Sequence, residues 1–261
     1  MIDIHHHLLF GTDDGPKDLE RSVAQAEAAA ADGITHLVCT PHANSTWNFD
    51  PEQNRAKLAM IRERVGDKLT LGLGCDFHLS YDNIQDALKN PTKFTINQGG
   101  YLLVEFAEFV IPEQIGDTFY EFMLRGMRPI ITHPERNPIL QRNPGRLAEW
   151  LRGNCLVQIT AGSLEGRFGK DAQAVALDLL GKKWVHFIAT DAHNLEKRPP
   201  YLRAVYQAVG RKLGEATAER LCVENPRAAF ENREMPEQPD PEGVPEDESQ
   251  RRGLMSRLFR K

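Results

Sequence analysis

Cysteine is scarce in this 261-residue chain: Cys39, Cys75, Cys155 and Cys222 are its four examples, and none forms a C-x-x-C pair. The residues six positions after them are Ser45, Tyr81, Ala161 and Ala228, so no C-x5-R loop exists to activate a thiolate and cradle a phosphate. A route through a cysteinyl phosphate is thereby excluded. The first three cysteines lie in apolar runs and are expected to be buried, reduced thiols, which points to the cytoplasm. There is no G-x-x-x-x-G-K-[ST] loop for nucleotide phosphates. No apolar run approaches the roughly 20 residues that a membrane span needs. The segment from Met1 to His5 has neither the basic nor the apolar region of a signal peptide. Basic excess is also missing: the formal net charge is −5, and nucleic acid is not expected as a partner.

What is present is an alternation. Strand-like runs occur at Ile2–His6, Thr35–Cys39, Leu69–Cys75, Tyr101–Phe106, Pro129–Thr132, Cys155–Thr160 and Trp184–Ala189. Between them lie helical patterns at Pro16–Asp32, Pro51–Val65, Pro112–Gly126, Asn143–Gly153 and Phe168–Gly181, with Pro or Asn near the start and, in most, Gly at the end. Strand alternating with helix implies a parallel α/β architecture. A closed barrel is preferred to an open doubly wound sheet, because polar residues follow almost every strand candidate.

Those polar residues are of one chemical kind. In a regular strand Ile2 and Ile4 point one way and His5 and His7 the other, forming an H-x-H pair, with His6 turned away. His42 follows the second run, Asp76 ends the third, and Glu105 sits late in the fourth, where a carboxylate in an apolar run needs a cation or a donor. His133 ends the fifth, Asp191 and His193 follow the seventh, and Asp14 lies in the turn after the first. His36, His78 and His186 fall outside the pattern and are read as structural. Imidazoles and carboxylates without thiolates suit Mn, Fe or Zn. So many ligands exceed one ion's needs and suit two or three, sharing a bridging carboxylate and generating hydroxide from water. Arg136 and Arg198 follow His133 and His193 and are expected to bind phosphate bidentately. Three divalent ions bring about +6 and Asp14, Asp76, Glu105 and Asp191 about −4, a balance suited to a phosphomonoester dianion. Trp47 and Phe49 follow His42, and one of these rings is expected to stack on an aryl substrate.

The segments Met1–His7, Thr12–Pro16, Thr40–His42, Gly74–His78, Val104–Phe106, Thr132–Arg136 and Thr190–Asn194, with Arg198-Pro199-Pro200, resemble the polymerase-and-histidinol-phosphatase (PHP) superfamily. Within it they are most similar to the manganese-dependent protein-tyrosine phosphatases of bacterial capsule and exopolysaccharide operons. The resemblance covers residues 1–230 and implies a distorted seven-stranded (β/α)7 barrel of the PHP type. It implies three divalent metal ions, Mn2+ foremost, with Fe or Zn as alternatives. His5, His7, Asp76 and Asp191 would hold the first. Asp76, as bridge, with Glu105 and His133 would hold the second, and Asp14, His42 and His193 the third. Arg136 and Arg198 match the superfamily's phosphate-binding arginines, and Asp76 stands where a Glu is usual. The activity implied is hydrolysis of phosphotyrosine on a bacterial tyrosine kinase by a metal-activated hydroxide, with Arg136, Arg198 and Asp76 as catalytic residues and Trp47 touching substrate. The alternatives are a small-molecule phosphomonoesterase such as a histidinol-phosphatase, a nuclease-like phosphodiesterase, and a catalytically silent binding module.

Residues 231–261 lie outside the resemblance. From Glu231 to Glu248 there are eight acidic residues, one basic residue and four prolines, which reads as a disordered linker. Arg251–Lys261 is basic, with Leu254, Met255, Leu258 and Phe259 on one potential helical face, and suggests weak contact with an anionic membrane surface or with an acidic kinase segment.

Overall fold

A computed structural model describes residues 1–244. Among them are nine short strands: β1 (Ile2–His6), β2 (His36–Cys39), β3 (His42–Ala43), β4 (Thr70–Leu73), β5 (Asp76–His78), β6 (Tyr101–Glu105), β7 (Arg128–Thr132), β8 (Leu156–Thr160) and β9 (Phe187–Ala189). The expected count of seven is corrected by two interruptions. Beyond the second run, Pro41, which has no N–H to give, separates β2 from the added strand β3; the third run stops at Gly74-Cys75, and Asp76 opens β5 rather than ending its predecessor.

Every pairing is parallel, in the orders β1-β2-β4 and β3-β5-β6-β7-β8-β9. Backbone bonds carry on across the breaks: Gly74 N–H donates to Cys39 O at 2.8 Å and Asp76 N–H to Pro41 O at 3.1 Å. The ring is closed by the His6–Ala192 bridge, where His7 N–H donates to Ala192 O at 2.9 Å and Asp191 N–H to His5 O at 2.8 Å. An open doubly wound sheet has no such closure.

Helices form where capping chemistry and an apolar face coincide. Asp18 caps Leu19–Ala31 by accepting from Arg21 N–H, and Val23, Ala26 and Ala29 face the core. Asp50 caps Pro51–Val65, with Pro51 in the first turn, and Gly66 at φ +61° ends it. Tyr81–Lys89, capped by Ser80, was not foreseen; the helix of the 112–126 stretch is Ile115–Leu124, and the last two expected helices start later, at Gly145 and Lys170. Outward-facing Leu37, Leu102, Val104, Ile131, Val157 and Ile188 belong to the larger apolar cluster that includes helix residues such as Leu58, Phe119 and Leu179. Inward-facing Ile2, Ile4, Val38, Leu103, Ile130, Leu156 and Phe187 fill the barrel.

One strand departs from simple alternation in a way that makes the site. The β1–β2 register slips between Asp3 and His6. A bulge of this kind re-aims side chains. Ile2 and Ile4 therefore pack in the barrel interior, and His5 also meets interior-facing neighbours, Gln158 among them. The expected opposition of the two pairs is corrected: both serve the interior, the isoleucines as its floor and the histidines as its rim. His6 does point away, to Gln25 Oε1 at 3.2 Å.

Residues 231–244 contain no helix or strand, yet the linker reading does not describe them. Gly100 N–H donates to Asn232 Oδ1 at 2.7 Å, Tyr101 Oη to Arg233 O at 2.6 Å and Trp184 Nε1 to Glu242 O at 2.8 Å. Met235 and Val244 pack on the two apolar clusters. A strap needs no apolar run when backbone carbonyls and single side chains do the anchoring. The rest of the expected linker and the basic segment Arg251–Lys261 lie outside the described residues.

Candidate metal centre

All nine sequence-derived ligand candidates converge on the C-terminal rim of the barrel. Their ligand atoms fall into four groups, each within 4.8 Å: His7, Asp14, His42 and His193; His5, His7 and Asp76; His5, His133 and Asp191; and His42, Asp76 and Glu105. His5 Nε2 and His7 Nε2 face each other at 3.3 Å, with Asp191 Oδ1 3.4 and 3.3 Å away. His42 bridges inward and outward, its Nδ1 3.1 Å from Asp76 Oδ2 and its Nε2 3.5 Å from Asp14 Oδ1. His133 Nε2 lies 3.6 Å from Glu105 Oε1, and His193 Nε2 3.2 Å from Asp14 Oδ1. His36, His78 and His186 take no part in these groups.

A further layer orients the imidazoles. His5 Nδ1 is 2.9 Å from Gln158 Oε1, His7 Nδ1 2.7 Å from Asp13 Oδ2, and His193 Nδ1 3.0 Å from Asp191 O. These acceptors place the ring proton on Nδ1 and turn Nε2 toward the centre, the arrangement that supports a ligating histidine. Neither Asp13 nor Gln158 was singled out from sequence. Gln158 had a visible signal: it is a polar residue inside the apolar run Leu156–Ile159, the same anomaly that marked Glu105.

Do these residues suit a cation? Asp76 is fully buried, and no backbone, amide or hydroxyl donor reaches its carboxylate; only imidazole nitrogens approach it, His42 Nδ1 at 3.1 Å and His5 Nε2 at 3.5 Å. A buried carboxylate costs several kcal/mol unless a cation meets it, and the imidazoles around this one are themselves ligand-type groups. Hard and borderline donors converge with no cysteine among them, a set that fits divalent ions of the Mn, Fe or Zn type.

Electrostatics and backbone geometry mark the same place. Burial disfavours charge on His5, but Asp191 and Asp76 outweigh it and push the ring up to about 9. Burial likewise opposes protonation of His42, which Asp76 lifts to about 10. Burial, together with the negative charge of Asp76, raises Glu105 to about 8. Burial and the neighbouring His7 depress His193 to about 4. Groups pushed apart this far within one cluster are characteristic of functional sites. His133 (φ +33°) and Asp191 (φ +50°) adopt left-handed backbone, a strained state for such residues that aims their side chains inward from the strand ends.

Arg136 and Arg198 reach the rim from separate turns. Arg136 follows His133 in a short 3₁₀ turn, and Arg198 closes a turn in which Asn194 Oδ1 accepts the N–H groups of Glu196, Lys197 and Arg198. Both guanidiniums donate to Asp191 Oδ2, and Arg198 Nη1 lies 3.0 Å from His193 Nε2. The two arginines expected to bind phosphate thus also hold the carboxylate of a ligand candidate. Two cations beside Asp191 keep its carboxyl well below the ordinary range despite burial. Trp47 stacks on His42, ring centroids 5.3 Å apart and planes at 14°. Phe49 is buried against Phe94 and belongs to the core.

The four thiols are buried and free, with no role at the rim. Burial pushes Cys155 and Cys222 up to about 12.

A ring of imidazoles and carboxylates flanked by two arginines at the mouth of a parallel barrel is a specific arrangement, and comparison with known proteins bears on it. The model for "Capsular polysaccharide synthesis, CpsB/CapC" matches residues 1–231. The chain belongs to the CpsB/CapC family. CapC of Staphylococcus aureus is 36% identical over 210 residues, covering 79% of this chain and 82% of that one. Tyrosine-protein phosphatase CpsB of Streptococcus pneumoniae is 31% identical over 236 residues, 87% of this chain and 97% of the relative. One of the crystal structures of YwqE from Bacillus subtilis and CpsB from S. pneumoniae, metal-dependent tyrosine phosphatases, matches with a TM-score of 0.87 at 30% identity, covering 94% of this chain and all of that one. The matched region of the CpsB/CapC family thus contains every residue of the centre and ends where the strap begins.

Proposed function

We propose that this protein is a metal-dependent protein-tyrosine phosphatase that hydrolyses phosphotyrosine on a bacterial tyrosine kinase linked to capsule or exopolysaccharide synthesis. The observation that carries the proposal is the convergence of nine ligand-type side chains and two arginines on one rim, in a chain of the CpsB/CapC family. His5, His7, Asp76 and Asp191, then Glu105 and His133, then Asp14, His42 and His193 would hold three divalent ions, with Asp76 as bridge and Mn2+ the favoured metal. Bound there, such ions would lower the pKa of water and stabilise charge on phosphoryl oxygens.

The chain's own residues supply the rest. Arg136 and Arg198 lie at the solvent edge of the cluster, where their N–H forks can take phosphoryl oxygens bidentately and neutralise transition-state charge. Trp47, stacked on His42 and only partly buried, offers its ring edge to a substrate aryl group. Asp14 is 43% exposed and Glu105 21%, so the mouth is shallow. A shallow mouth favours a phosphotyrosine presented on a protein over a small metabolite that needs enclosure. Among the described residues no helix is long and apolar enough to cross a membrane. Four buried, unpaired thiols agree with a cytoplasmic setting. Weak membrane contact through Arg251–Lys261 rests on sequence pattern alone.

The test is a rate comparison on a phosphotyrosine peptide and on histidinol phosphate with Mn2+ supplied. The peptide should be hydrolysed with the higher kcat/KM, chelation should abolish turnover, and thiol alkylation should leave it unchanged. Preference for histidinol phosphate would favour the small-molecule phosphatase, and full activity after exhaustive metal removal would rule out both.

A further inference from the structure

Phe168 belongs to none of the motifs and to none of the ligand groups. Its ring nevertheless lies under both arginines: the Arg136 guanidinium carbon is 4.3 Å from the ring centroid and that of Arg198 is 5.8 Å away. Both distances are within the range in which a cation is attracted to an aromatic face. The two arginines come from turns more than 60 residues apart in sequence, and Phe168 is one side chain they share.

The loop carrying this ring is built to keep it there. Gly166 (φ +80°) and Gly169 (φ +90°) flank Arg167-Phe168 in backbone conformations that favour glycine. Arg167 N–H donates to Gly162 O at 2.9 Å and Gly169 N–H to Gly166 O at 3.1 Å, closing the loop on itself. Gly162 admits the ring: a β-carbon there would come within 3.1 Å of Phe168 Cε2. The loop is also fastened to the turn that bears Arg136. The buried Glu135 carboxylate accepts from Ser163 Oγ at 2.7 Å and from Thr160 N–H at 2.9 Å. Ring, loop and the Arg136 turn therefore form one fixed unit, against which Arg198 leans from the other side.

We infer that Phe168 is a positioning residue that pre-aligns Arg136 and Arg198 as a two-armed anion clamp for the phosphoryl group. Long arginine side chains lose rotamer freedom when they bind. A shared aromatic platform removes part of that loss before substrate arrives, which is how preorganisation gains affinity. The inference rests on the phosphate-binding assignment of the two arginines.

The experiment uses the Mn2+-loaded full chain and two probes: inorganic phosphate binding by calorimetry, and kcat and KM on an aryl phosphate. Phe168→Leu, which keeps an apolar filler, should weaken phosphate binding and raise KM by roughly tenfold, the loss of two weak cation–π contacts, with metal content and melting temperature near those of the parent. Phe168→Tyr, which keeps the ring, should restore both. Arg136→Ala and Arg198→Ala serve as the reference. If they weaken phosphate binding but Phe168→Leu does not, the positioning role is wrong. If Phe168→Leu and Phe168→Tyr lose affinity equally, the ring acts through shape alone and the inference is also wrong. If neither arginine variant loses phosphate affinity, the underlying functional assignment fails, and the role of Phe168 with it.

Discussion

The two ends of the barrel treat polar groups in opposite ways. At the C-terminal rim Asp76 is buried with only imidazoles against its carboxylate, like charges crowd together, and left-handed backbone falls on His133 and Asp191. At the N-terminal end side-chain amides pair with the backbone and with each other. Asn225 donates to His186 O at 2.8 Å and exchanges two bonds with Gln238, while Asn97 donates to Phe230 O at 2.8 Å. Left-handed residues at this end include Asn97, Asn154 and Asn232, a residue type that tolerates the conformation. At the rim a buried carboxylate is left among imidazoles, whereas at the floor these amides are paired by the chain itself. Activity should therefore be vulnerable at the rim, and stability at the floor.

The largest effect is expected from Asp76→Asn. Removing the charge of the most central carboxylate should lower kcat by about three orders of magnitude. Steady-state kinetics with saturating Mn2+ would show it, and a near-native kcat would end the claim that Asp76 bridges. A smaller loss should follow Asp13→Asn, which weakens the acceptor behind His7 without touching a ligand. Metal affinity measured by calorimetry should fall by about ten- to a hundredfold; unchanged affinity would make Asp13 an ordinary turn residue. The smallest effect on activity belongs to the floor. Asn225→Ala should cost about 1–3 kcal/mol of stability, because it strands His186 O and Gln238 Oε1 and leaves Gln238 Nε2 with Pro236 O alone. Denaturant unfolding would measure the cost, and kcat should stay as it was. A tenfold drop in kcat at unchanged stability would erase the distinction between the two ends.

The history of individual residues explains why much of the rim, and little of the floor, was legible in the sequence. His5, His7, His42, Asp76, Glu105, His133, Asp191 and His193 are chemically loud: each is a titratable group at the end of an apolar run, where burial without a partner is costly. Gln158 breaks the same rule more quietly, because it is neutral. Asn225, Gln238 and Asn232 gave no signal, since a polar residue in a polar stretch is consistent with solvent exposure. The acidic, Pro-rich composition after Glu231 suggested disorder because it lacks apolar runs. A strap fixed by Tyr101, Trp184 and Asn225 has no need of one.

The sequence by itself determined the parallel α/β alternation, the absence of thiol chemistry and the identity of the residues gathered at the rim. Each of these follows from local periodicity or from residue chemistry, which act over a few positions. Only the tertiary structure decided the rest. The slip in β1 turns both Ile4 and His5 toward the barrel interior. Asp13 and Gln158 come to orient the histidines, and one phenyl ring comes to lie beneath two arginines from distant turns. These depend on which surfaces meet when the ring closes, and no spacing along the chain encodes that meeting.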